Sequence, residues 1–122
     1  RNAGHYAALL MLAGLRDTLG EQAAAARALD RAMYVYPLEI PPHQRLAELA
    51  AGLGWWPLAI RERQAVVALQ PVDRAEGLYQ LALAYFGAGR RDNARSTVLR
   101  ALEIAPGFER AQDLLLKIRE AR

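Results

Sequence analysis

The feature that most constrains this chain is a period. Pro37, Pro71 and Pro106 stand 34 and 35 residues apart, and so do Gly20, Gly54 and Gly89 and again Leu12, Leu46 and Leu81. Three residue types keeping one spacing define an internal repeat, and a repeat of this length implies a stacked array of like units. The one extra residue is expected in the loop after Pro71, where an insertion is tolerated.

Each unit reads as two helices of about a dozen residues. In the third, Leu78, Leu81, Ala82 and Tyr85 recur at the three-four spacing of an amphipathic helix, and Gly89 breaks the pattern. Ala94, Val98, Ala101 and Leu102 form the next stripe, which Pro106 ends. Asp73 with Glu76 predicts a capping box, and Asp92 predicts the cap of the following helix. Pro41, Pro42 and Pro57 fall at helix starts, where a missing N–H is harmless.

Small residues occupy equivalent places in all three units: Ala13, Ala47 and Ala82; Ala25, Ala59 and Ala94; Ala32, Val66 and Ala101. A small side chain at a fixed place lets two helices approach closely, and a Leu there would overpack the contact at a cost of about 1–3 kcal/mol. Composition enters here. The chain has 25 alanines among 122 residues, and eight of them fill these nine places, so part of an excess that coding bias would also produce is architectural.

These residues resemble the tetratricopeptide repeat, whose period is 34. The third unit is the nearest match, with Ala75-Glu76-Gly77-Leu78-Tyr79-Gln80-Leu81-Ala82-Leu83-Ala84-Tyr85, then Gly89, Ala94, Ala101-Leu102-Glu103 and Pro106. The resemblance implies an all-α fold, a right-handed α-solenoid of three helix-turn-helix repeats (about 6–39, 40–73 and 75–108) in a single domain over 1–122. A seventh helix over about 108–121, with Ala111, Leu115, Leu116 and Ile118 in register and a polar end at Arg119, Glu120 and Arg122, is expected to cap it. His43, Arg63 and Arg16 depart from the large apolar or aromatic residues usual at their places, while Trp56 supplies the bulky residue after the turn glycine.

The resemblance also implies a function. First helices line the concave side and receive a peptide or helix of a partner protein. On those helices the outward stripe of the third unit reads Glu76, Tyr79, Leu83 and Phe86, a large apolar cluster beside a carboxylate. Such clusters mark interaction surfaces. Leu10 from the first unit and Gln44, Arg45 and Glu48 from the second complete the expected groove. Trp55, of Trp55-Trp56-Pro57, is expected exposed near a hairpin tip as a further contact. The clamp that binds a chaperone's C-terminal carboxylate in one sub-family is replaced here by Leu10, Gly14, Arg45, Glu76 and Gln80, so that ligand is not expected. An apolar segment with basic flanks fits better.

Other chemistry is not expected. There is no Cys, so disulfides, thiolate metal sites and Cys nucleophiles are excluded. His5 and His43 share no motif, Ser96 is the only serine, and Gly52-Leu53-Gly54 lacks the Lys of a phosphate loop. No enzyme activity, metal or cofactor is therefore expected, and a packing role is assigned to His43. The net charge of +3 comes from basic residues interleaved with acids, as in Asp30-Arg31, Arg61-Glu62-Arg63 and Arg91-Asp92. That is a solvated pattern rather than a nucleic-acid footprint. No apolar run approaches a membrane span, so a soluble domain, cytoplasmic or periplasmic, is expected. Starting at Arg1-Asn2-Ala3 without Met, the sequence reads as a piece of a longer or processed protein. The competing reading is a non-catalytic C-terminal appendage of a larger, bacterial enzyme, used for intramolecular docking or for self-association into a homo-oligomer.

Overall fold

The computed structural model describes residues 2–121, with the side chain of Asn2 set aside. The described residues form seven helices: α1 (Asn2–Thr18), α2 (Gln22–Val35), α3 (Ile40–Gly52), α4 (Trp56–Ala68), α5 (Arg74–Gly87), α6 (Arg91–Ile104) and α7 (Glu109–Glu120). The fold is all-α, helix-turn-helix repeats in the order α1–α2, α3–α4 and α5–α6, with α7 after them. It divides into two compact units, Arg1–Glu62 and Arg63–Arg122.

The period has a physical basis at the turns. Gly20, Gly54 and Gly89 have φ of 77°, 74° and 77°, a conformation that an L side chain rarely adopts. Each closes the same pair of hydrogen bonds. Glu21, Trp55 and Arg90 donate their N–H to Arg16, Ala50 and Tyr85, at 2.9, 2.8 and 2.8 Å. The glycines donate to Asp17, Ala51 and Phe86, at 3.0, 3.1 and 3.0 Å. This pair of hydrogen bonds occupies carbonyls at the ends of α1, α3 and α5 and turns the chain back.

The nine small residues are all buried, between 0% and 3% exposed. In the first unit, Tyr6, Leu9 and Ala13 of α1, the Ala25–Ala26–Ala28–Leu29–Ala32–Met33 face of α2, and Leu46 and Leu49 of α3 form one cluster. In the second, α5 contributes Leu78, Leu81, Ala82 and Tyr85, α6 contributes Ala94, Val98 and Ala101, and α7 packs against both.

Four local expectations are corrected. The extra residue is not in the loop after Pro71, since α3 and α5 both begin three residues past their proline; it lengthens α5 to 14 residues against 13 for α3. Asp92 does not cap α6, because the N-cap is Arg90, which makes no side-chain bond, and Asp92 lies in the first turn. There its charge complements the helix dipole instead. Asp73 does cap α5, accepting from the Glu76 N–H at 2.9 Å, but the Glu76 side chain turns away and the box is half made. In α7 the buried stripe is Ala111, Leu114 and Ile118, while Leu116 is exposed and Leu115 half-buried. Arg122, counted with the polar end, lies outside the described residues.

Candidate functional site

Tyr79, Leu83 and Phe86 follow one another at four and three residues, so one stripe of α5 carries all three. That stripe faces α7. The three side chains, each half-buried, line a cleft of about 200 Å³ with Arg110, Asp113, Leu114 and Lys117 opposite. Apolar groups make the floor, and charges from α7 make the rim.

Tyr79 is held from one side. Its ring lies 5.1 Å from that of Phe108, and the Arg110 guanidinium sits 4.9 Å from the Tyr79 centroid and 5.0 Å from that of Phe108. Arg110 is fixed there by an ion pair with Glu76, and Gln80 donates to the other Glu76 oxygen at 2.8 Å. The Glu76 carboxylate raises the Arg110 pKa above its ordinary value, so the cation stays charged throughout. The flanking carboxylate of the expected groove is thus already neutralised by a neighbour, and what remains open is the Leu83–Phe86 side of the cleft.

The expected groove residues of the first unit stand differently. Leu10 is half-buried and packs on the α1–α2–α3 cluster. Gln44, Arg45 and Glu48 are exposed on α3. Arg45 donates through two nitrogens to both Asp17 oxygens at 2.7 Å and through the third to Glu48 at 2.9 Å. That fork holds the Asp17 carboxyl below the usual aspartate range and raises the guanidinium's own pKa further. Trp55, expected exposed, is corrected: it is half-buried and packs against the first unit's core. Its N–H closes the α3 turn.

One buried group escaped the sequence reading. Glu62 is 2% exposed and accepts from Arg61, which also pairs with Asp30. It meets His43, itself 3% exposed, at 2.7 Å. The other His43 nitrogen lies 2.7 Å from the Pro37 carbonyl, which can only accept, so Nε2 carries hydrogen and one proton is shared between Nδ1 and Glu62. His43 is a packing residue as expected, but a bonded one. The signal available was a buried-register Glu, and charge alternation along Arg61-Glu62-Arg63 hid it.

Two larger cavities lie in the second unit. One of about 650 Å³ adjoins the α5–α6 turn, with Phe86, Arg90, Arg91 and Asp92. Another of about 450 Å³ lies beside Pro71, with Val67, Arg74, Leu78 and Arg100. Among the described residues no three His, Asp or Glu side chains are grouped to hold a metal, and no helix is long and apolar enough to cross a membrane.

Comparison with known proteins adds the following. A family model, Tetratricopeptide repeat, matches residues 75–108. No curated protein sequence matches. Solved structures do, along almost the whole chain. The second TPR domain of human RPAP3, in complex with the HSP70 peptide SGPTIEEVD, is 13% identical with a TM-score of 0.75, covering 95% of this chain and 99% of that one. The Yersinia enterocolitica type III secretion chaperone SycD, in complex with a peptide of the translocator YopD, is 16% identical with a TM-score of 0.72, covering 91% and 89%. A mutant O-GlcNAc transferase of Thermobaculum terrenum is 27% identical with a TM-score of 0.65, covering 97% of this chain and 22% of that one.

Proposed function

We propose that this chain, a tetratricopeptide-repeat protein by the repeat at 75–108 and by its fold, is a protein-interaction domain. It holds a short helical or extended segment of a partner protein against the first helices of its repeats. The observation that carries the reading is the α5–α7 cleft. It joins three large apolar side chains at successive helical turns to a charged rim. Its volume of about 200 Å³ is below the roughly 300–1,000 Å³ of small-molecule pockets, and suits one or two apolar side chains of a peptide. Similar folds bind peptides in the RPAP3 and SycD complexes, which supports the class of ligand.

The chemistry of that ligand differs from an acidic chaperone tail. Arg45, the one cation at the clamp positions, already has all three guanidinium nitrogens bonded to Asp17 and Glu48. An incoming carboxylate would have to displace the bidentate Asp17 carboxylate to gain the same two hydrogen bonds. The ligand is therefore apolar at its anchors. A basic flank falls to Asp113 at the rim of that cleft, since Glu76 is occupied by Arg110. Gln44 and Leu10 are contacts of the same face in the first unit.

The test is affinity capture by wild type and by a Leu83→Ala, Phe86→Ala double variant. Both side chains are half-buried and stand outside the Tyr79–Phe108–Arg110 stack, so far-UV circular dichroism is expected unchanged while capture falls at least about tenfold, the loss typical of a truncated hot spot. Undiminished capture by a helical double variant would contradict the assignment. A second reading, a non-catalytic appendage of a larger enzyme that docks within it or self-associates, is favoured by the likeness to one segment of the O-GlcNAc transferase. Light scattering over a concentration series separates its self-association form, which requires a mass above that of the monomer.

A further inference from the structure

Repeat register makes an uncovered surface interpretable, because it says what the same positions touch elsewhere in the chain. Adding 34 to Leu12, Leu15 and Leu19 gives Leu46, Leu49 and Leu53. On α3, Leu46 is 0% and Leu49 3% exposed, and Leu53 packs against the same cluster. On α1 the matching leucines are 37%, 57% and 60% exposed. The residue types are identical and the burial is opposite. What covers α3 is α2, whose stripe of Ala25, Ala26, Ala28, Leu29, Ala32 and Met33 shares a cluster with Leu46 and Leu49.

Nothing in the described residues does this for α1. Its apolar edge is also widened. The register place filled by exposed Arg45 on α3 and by Gln80 on α5 carries Met11 on α1, at 76% exposure. Polar residues at that place suit a rim facing water, and a methionine suits a contact. The other end of the repeat array is unlike this one. The exposed surface of α7 reads Glu109, Arg110, Gln112, Asp113, Lys117, Arg119 and Glu120, with Leu116 its one exposed large apolar residue. An end built to face water needs such a polar surface, and α1 lacks one.

We propose that Met11, Leu12, Leu15 and Leu19 form a docking seat for one more helix of α2's kind: an amphipathic helix with an alanine-rich stripe, from a repeat set before α1 in the polypeptide. It packs on α1 as α2 packs on α3. This surface is separate from the α5–α7 cleft, so either assignment can fail alone.

The chain has no cysteine, so Leu15→Cys places a unique thiol on the seat. Its labelling by an aromatic disulfide is compared between the 122-residue chain and the chain with a copy of residues 6–39 inserted in register before Tyr6. The shorter protein is expected to be monomeric by light scattering and to label at the rate of a free thiol. In the extended protein labelling is expected to slow at least about tenfold, as for a group that must open to react. Helicity is expected to rise with the added residues. Unchanged labelling, or an extension that adds no helicity, overturns the proposal. So does a slow thiol in the shorter protein accompanied by a doubled mass, because the occupant would then be a second copy.

Discussion

At the scale of single residues, several charges are paired with a neighbour from another part of the chain. The Asp30–Arg61–Glu62–His43 series is the deepest case, running from α2 through α4 to α3 and ending on the Pro37 carbonyl. A buried pair of this kind stabilises little relative to apolar residues, yet breaking it leaves an uncompensated group. Glu62→Ala is therefore expected to destabilise the chain by about 3–5 kcal/mol, read from urea unfolding. Replacing both partners, His43→Leu with Glu62→Met, is expected to recover most of that loss. The chain supports this itself, since Leu9 fills the equivalent register place on α1 at 4% exposure. A double variant no better than the single one would mean that the pair has a net stabilising role. None of this network was legible in the sequence. His43 could be assigned to packing because of its place in the repeat, but its acceptor lies 19 residues away and only the fold brings the two together.

At the scale of helices and turns, the sequence was most informative, because the repeat prints each local requirement three times. The turn glycines are the clearest example. All three have φ near +75°, and a Cβ at each would meet nothing within 4 Å, so the constraint is purely conformational. Gly54→Ala is expected to cost about 1–2 kcal/mol, the penalty of the left-handed conformation. Gly14→Ala, inside α1 with equally open space, is expected to stabilise by up to about 1 kcal/mol from helix propensity. Thermal unfolding of the two variants checks the pair, and shifts of the same sign would contradict the account. The nine small residues were legible for the same reason: close approach of helices is a local rule repeated in register. What the period could not reveal was side-chain direction at singular places. The place of Trp55 holds Glu21 and Arg90 in the other repeats, both exposed, so the register gave no guide to the inward course of Trp55. Asp92 failed as a cap because Arg90, two residues earlier, already occupies that backbone position.

At the scale of the whole molecule, the alanine excess, the interleaved charges and the period all describe one kind of object, an array of helix-turn-helix repeats. The stripe Tyr79, Leu83 and Phe86 was legible as a candidate surface from α5 alone. Its division into a braced half and an open half was not, because the bracing by Phe108 and Arg110 comes from beyond α6. Tyr79 is thus a braced residue, and the proposed binding role rests on Leu83 and Phe86. The most direct measurement places a photo-activatable phenylalanine analogue at Phe86 and, separately, at Leu99, an exposed residue of α6. After irradiation with captured partner protein, adducts are expected from position 86 and not from position 99. Adducts from position 99 alone would contradict the cleft between α5 and α7 as the partner's seat.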